Sequence, residues 1–233
     1  MSELIFVRHG QASFGAESYD KLSPLGVQQV RLLAQHWQDV GERFDHLYAG
    51  ELQRQRETAS ELLPLIDAPS PQIAVHPGFN EYDGAPLIHI YLRDHHPAKE
   101  SVSLPILDRK LFQQVFEATT ARWINGELVP GDEDHQFEAW SAFQKRVHGA
   151  IDELMARHTD GSRVLVSTSG GVIALALQRV LGLPDAQVID VNWMVNNSSI
   201  TRLRYGGGRV SLALFNGLPH LEKPQLRELI TYR

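Results

Sequence analysis

An arginine, a histidine and a glycine stand side by side at residues 8 to 10, directly after the apolar run Leu4-Ile5-Phe6-Val7. Their types suit phosphoryl chemistry. Arg8 offers a planar fork of donors matched to phosphate, His9 a ring nitrogen that acts as nucleophile or base, and Gly10 lets the backbone come close to a ligand. Arg54 and Arg56 open a second predicted helix, where a cation opposes the helix dipole unless an anion sits nearby. Arg54 reads as the anion partner, and Arg56 as solvated or paired with Glu51 or Glu57. Glu81 falls in the acidic, aromatic, glycine-flanked loop Gly78-Phe79-Asn80-Glu81-Tyr82-Asp83-Gly84. The turn Thr168-Ser169-Gly170-Gly171 precedes an apolar helix, so its amides form an anion site. It is not a nucleotide-binding P-loop, because the lysine is missing and the spacing is wrong.

Several elements must position these groups. The run ending at Val7 reads as a buried strand that delivers Arg8 and His9 at its carboxyl end. Gln11 to Tyr19 is a polar loop, and Ser23-Pro24 starts a helix whose inner face carries Val27, Val30, Ala34 and Trp37, with Gly41 as its stop. Phe44 to Ala49 reads as a second strand, Glu51 to Leu63 as a helix ended by Pro64, and Gln72 to His76 as a third strand. Residues 85 to 136 break the alternation. They hold an amphipathic helix with Leu111, Phe112, Val115, Phe116, Trp123 and Ile124, capped by Asp108 and ended near Gly126. This insertion is expected to act as a lid, with His89, Arg93, His95 and Arg109 as candidates to meet a leaving group. Phe137 to Arg157 is a long helix, Arg163 to Ser167 a strand, and Val172 to Leu181 a helix. Ile200 to Arg204 and Val210 to Phe215 make a hairpin around Tyr205-Gly206-Gly207-Gly208. The tail from Leu218 is polar, broken by proline and assigned no function.

Length and composition set the class. The chain of 233 residues is long enough for one large α/β domain with an insertion at about 85–136. A net charge of −6 argues against a general nucleic-acid binder, which needs a basic face. No apolar run reaches membrane-spanning length, and residues 4 to 7 are too short for a secretion signal, so a cytoplasmic location is expected with no membrane partner. The absence of cysteine excludes disulfides and thiolate sites. The adjacent His95 and His96 cannot share one metal on a helix or strand, and His36 has no companion at metal-ligand spacing, so no metal is assigned. The apolar positions are taken up by core faces, which leaves the oligomeric state unassigned.

With these motifs in order, the chain resembles the histidine phosphatase superfamily, which includes cofactor-dependent phosphoglycerate mutases and small phosphatases. The resemblance rests on Val-Arg-His-Gly-Gln after the first strand, Leu-Ser-Pro-Leu-Gly-Val-Gln-Gln at the first helix and Leu-Gln-Arg-Gln-Arg-Glu-Thr-Ala at the second. Asn-Glu-Tyr-Asp before the insertion and Asn-Asn-Ser-Ser-Ile-Thr-Arg-Leu near the end continue it. It implies a three-layer α/β sandwich with a mostly parallel central sheet, helices on both faces and a helical lid. It further implies His9 as a nucleophile that becomes phosphohistidine, Glu81 as proton donor, and Arg8, Arg54 and Gln11 around the phosphoryl group, with no cofactor and no metal. The partner is then a small phosphorylated substrate or inorganic phosphate.

One position departs. The family places a second histidine after the fourth strand, and Ser169 stands there in this chain. Its hydroxyl, with the Gly170 and Gly171 amides, can donate to a phosphoryl oxygen but supplies no positive charge. The lost charge-assisted contact costs on the order of two to four kcal/mol of transition-state stabilisation. Three functions follow in order of preference: a metal-independent phosphatase, a phosphate-ligand binder or scaffold with weakened catalysis, and a phosphoglycerate mutase.

Overall fold

The computed structural model describes residues 1–13, 20–96, 106 and 108–232. Cα packing divides the chain into two compact units, Met1–Glu81 together with Val147–Arg233, and Tyr82–Arg146.

The first unit is built on a six-stranded sheet. In chain order its strands are β1 (Ser2–Arg8), β2 (His46–Ala49), β3 (Ile73–Val75), β4 (Arg163–Thr168), β5 (Ile200–Gly206) and β6 (Arg209–Gly217). Their order in the sheet is β3-β2-β4-β1-β5-β6. The first four neighbours run parallel, and β5 is antiparallel to both β1 and β6. A mostly parallel sheet has to be covered on both faces, which is why β1 and β4 read as near-continuous apolar runs rather than alternating ones. Ile5 and Val7 of β1 share a cluster with Val30, Leu33 and Trp37 of α1 (Pro24–Asp39) and Ala59 and Leu62 of α2 (Gln53–Leu62). The alternate residues Leu4 and Phe6 point the other way and are also fully buried, Phe6 meeting Phe79 edge-on.

The register of β1 against β4 pairs Val7 with Ser167 and Arg8 with Thr168. His9 and Ser169 are therefore the next residues past two adjacent, parallel strand ends, the crevice in which open α/β sheets hold ligands. Ser23 caps α1, its hydroxyl accepting from the Gly26 amide at 3.0 Å, with Pro24 in the first turn as expected.

The second unit holds α3 (Gly84–Asp94) and α4 (Arg109–Ile124), capped by Asp83 and Asp108 respectively. Residues 85–136, read from the sequence as an insertion, fall within its bounds. Aromatic rings fill it, with Tyr82 4.8 Å and Trp140 4.9 Å from Trp123 between ring centroids. The remaining helices are α5 (Trp140–Arg157), α6 (Gly170–Leu181) and α7 (Asp185–Met194). Of these helices among the described residues, two were not read from sequence. In α3, Gly84 and Pro86 look like breakers, although both fall in the first turn, where they are tolerated. In α7 only Val188 is fully buried, so no apolar period marks the helix. The long helix begins at Trp140, three residues after the expected Phe137. The loop expected at 11–19 falls largely outside the described residues. Among the described residues, no helix is long and apolar enough to cross a membrane.

Candidate active site

β1 ends at Arg8, and the chain turns at once. The His9 amide donates to the Thr168 carbonyl of β4 at 2.9 Å, which seats the histidine against the neighbouring strand end. The turn is possible because Gly10 lies against α1: a Cβ there would fall 2.3 Å from the Gly26 carbonyl oxygen. His9 is 6% exposed. Its Nδ1 lies 2.7 Å from the Gly10 carbonyl, which can only accept, so Nδ1 carries the proton and Nε2 keeps the lone pair. The Arg54 Nε–H donates to that Nε2 at 3.2 Å. Burial, then the Arg54 guanidinium, then that of Arg8 hold the imidazole well below its ordinary pKa, against the opposing pull of the Gly10 carbonyl. A neutral ring with its lone pair turned toward a cation is the state a nitrogen nucleophile needs in order to meet a phosphoryl anion.

Arg54 sits in the first turn of α2, as the sequence indicates, and is also paired with Asp20, Nη1 to Oδ1 at 2.6 Å. The other oxygen of Asp20 accepts from the Gln53 amide at 2.8 Å, so a carboxylate at the helix start answers both the arginine and the dipole. Sequence reasoning missed Asp20, which lies 34 residues away along the chain from Arg54. Arg8 Nη1 donates to the Val195 and Tyr232 carbonyls, the latter at 2.9 Å. Gln11 is tied to the α1 cap, its side-chain oxygen accepting from the Ser23 hydroxyl at 3.0 Å and its amide donating to Gln29 Oε1 at 2.9 Å.

The second strand end carries a different set of contacts. Ser169 occupies the N-cap position of α6 but does not cap it through its side chain. Its Oγ accepts instead from Gln55 Nε2 at 2.8 Å. The Gly171 amide in the first turn of α6 is held by Glu81, whose Oε2 lies 2.9 Å away, so this amide serves the carboxylate. Gly170 approaches Asn192 so closely that a Cβ would lie 2.4 Å from the Asn192 side-chain oxygen. The expected residues thus fall into two groups. His9, Arg54 and Arg8 form one, and Ser169, Gly170 and Glu81 sit together at the start of α6, joined to α2 through Gln55.

The tail corrects the sequence reading most sharply. The Thr231 carbonyl accepts from the Asn197 amide at 2.8 Å, and the Thr231 hydroxyl donates to Asn197 Oδ1 at 2.9 Å. Asn197 Nδ2 in turn donates to the His9 carbonyl at 3.1 Å. Gln29 Nε2 reaches Leu229 O at 2.6 Å and Thr231 Oγ1 at 2.9 Å, while its oxygen holds Gln11. With Tyr232 O on Arg8, the last described turns of the chain buttress the strand end that bears His9. Ser198, at a left-handed φ of 57°, donates its amide to the Arg8 carbonyl at 3.0 Å and bonds His220 through its hydroxyl at 2.8 Å. The Asn-Asn-Ser-Ser motif therefore works as a backbone clamp. Within the second unit, Arg93 is engaged by Asp94, Glu133 and Asp134, His89 by Asp134, and His95 by the Glu127 carbonyl. The Arg109 side chain lies outside the described residues.

The sequence matches the family model for the histidine phosphatase superfamily (branch 1) over residues 4–90 and 108–217. No curated protein matches it significantly. Among solved structures, a phosphoserine phosphatase mutant from Entamoeba histolytica in complex with phosphoserine is 20% identical, with a TM-score of 0.63 over 95% of this chain and 100% of that one. A phosphoglycerate mutase from Bacillus anthracis is 18% identical, with a TM-score of 0.63 over 94% of each chain. A mycobacterial glucosyl-3-phosphoglycerate phosphatase is 21% identical, with a TM-score of 0.63 over 93% of this chain and 99% of that one. At these identities the likeness establishes the fold.

Proposed function

The chain belongs to the histidine phosphatase superfamily, and we propose that it hydrolyses a small phosphate monoester through a covalent phosphohistidine on His9, without a metal. The observation that carries this reading is the state of the imidazole: Nδ1 is committed to the Gly10 carbonyl, and Nε2 is bare of hydrogen and 3.2 Å from the Arg54 Nε. In the first step Nε2 attacks phosphorus, the bond to the ester oxygen breaks, and Glu81 in its acid form gives that oxygen its proton. In the second, Glu81 takes a proton from water, whose oxygen attacks phosphorus as the P–N bond breaks, releasing phosphate and regenerating His9. Arg54 and Arg8 stabilise the charge on the equatorial oxygens, with Ser169, the Gly170 amide and Gln11 completing the ring of donors.

The test is hydrolysis of p-nitrophenyl phosphate and a panel of phosphorylated metabolites at mildly acidic pH. The panel includes phosphoserine and 3-phosphoglycerate, each bound by the Entamoeba enzyme in crystals. Activity that falls by about ten-thousandfold in His9→Ala supports the reading. No hydrolysis of any compound, or hydrolysis indifferent to the substitution, refutes it.

A second reading, a phosphate-ligand binder with weakened turnover, is favoured by Ser169, a neutral group 1% exposed at the family's second histidine position. Under the phosphatase reading the parent is already active, with its turnover dependent on His9, before any Ser169→His substitution. A near-inert parent that gains about a hundredfold or more selects the binder.

A further inference from the structure

We infer that Gln55 is a positioning residue that presents the Ser169 hydroxyl as a hydrogen-bond donor to the oxygens of a bound phosphate monoester, an inference that rests on the phosphoryl site read above. One carbonyl fixes the donors and acceptors here. Phe79 O accepts from the Thr168 hydroxyl at 2.7 Å and from Gln55 Nε2 at 3.0 Å. A carbonyl can only accept, so the Gln55 amide is oriented with its nitrogen toward Phe79 and Ser169, and the second N–H goes to Ser169 Oγ at 2.8 Å. The Ser169 oxygen therefore receives a proton here and retains one of its own. No acceptor for that proton is found among the described residues, and the side chain does not cap α6.

Ser169 is 1% exposed and Gln55 fully buried. A buried hydroxyl proton with no acceptor is costly, and an anionic oxygen arriving beyond the end of β4 removes that cost. The surroundings are shaped to keep Gln55 in this rotamer. Its own carbonyl accepts from the Ser167 hydroxyl at 2.7 Å, so the residue is held by both neighbours of Thr168. Gly50 leaves room for the side chain, since a Cβ there would fall 1.9 Å from Gln55 Oε1. That oxygen is buried without a partner among the described residues, which marks the glutamine as kept for its nitrogen. The pair makes a neutral, directional donor that requires no ionisation.

The test is a double-mutant cycle of Gln55→Met and Ser169→Ala, read as kcat/KM on p-nitrophenyl phosphate and as inhibition by orthovanadate. Each single variant is expected to lose about tenfold, and the double variant to match Ser169→Ala alone. Losses that multiply overturn the proposal, because Gln55 then acts other than through Ser169. A second arm needs no Gln55 variant: in 15N-labelled protein, Ser169→Ala should speed hydrogen exchange of the Gln55 side-chain amide, and unchanged exchange also overturns the proposal. A parent that hydrolyses no ester and binds no vanadate overturns the phosphoryl-site reading along with it. A parent that turns over with His9 dependence but shows multiplied losses overturns the Gln55 assignment alone.

Discussion

The ends of β1 and β4 lie side by side and are paired residue for residue, yet they are chemically unlike. At the end of β1 stand a histidine and an arginine, with a second arginine from α2, all partly or fully buried. Beyond β4 the groups are a serine and glycine amides, with Glu81 capping α6. One wall concentrates positive charge around a neutral imidazole, and the other offers directional hydrogen bonds. Under the proposed mechanism, the first wall keeps the nucleophile neutral and attracts the anion, while the second only orients. Each wall also has its own scaffold: the β1 end is held by the clamp at Asn197 and Ser198 and by the tail, and the β4 turn by Gln55.

The comparison breaks most directly at the nucleophile, where His9→Ala should cost about ten-thousandfold in kcat/KM while Ser169→Ala costs about tenfold. Equal losses would erase the distinction between the walls. Next in size is Arg54→Met, expected to lower kcat by about a hundredfold, as removal of a donor to a developing oxyanion does. The same variant sharpens the electrostatic account. Because the nucleophile must be unprotonated, kcat/KM falls as pH drops through the His9 pKa, which lies well below 6.5 in the parent. Losing the Arg54 charge removes the second of the depressing causes and should move that acidic limb to higher pH. A limb that stays in place would mean that burial alone sets it.

The clamp is read in stability, with no change in rate expected. Burial, with a minor contribution from His36, pushes His220 down from 6.5 to about 3. Between those values the unfolded chain takes up a proton that the folded one refuses, so folded stability declines as pH falls from 6.5 toward 3, by about 1.4 kcal/mol per pH unit from this one group. Urea midpoints measured across that range should fall less steeply in His220→Gln. An unchanged slope would show that the imidazole is accessible to protons in the folded state.

What the sequence disclosed follows the same division. The charged wall was legible because arginine and histidine at a strand end, or arginine at a helix start, are electrostatically unusual. The strands β1 and β4 were legible because their burial on both faces leaves apolar runs. Gln55 was not, since a glutamine between two arginines in a polar helix start looks solvated, and only the packing of α2 against β4 buries it. The tail was not legible because it binds mainly through backbone carbonyls, which every residue possesses, and its partners Gln29 and Asn197 lie 202 and 34 residues from Thr231. Asp20 failed for a similar reason, since its role is fixed by a contact that only the fold creates.

The central claim is that phosphorus becomes bonded to His9, and it is tested most directly by quenching the protein in base during turnover of p-nitrophenyl phosphate and mapping the phosphorylated peptide by mass. The account predicts one phosphoryl group on the peptide carrying His9, stable to base, released by acid and absent from His9→Ala. A phosphoryl group on any other side chain, or an adduct that survives in His9→Ala, would contradict it.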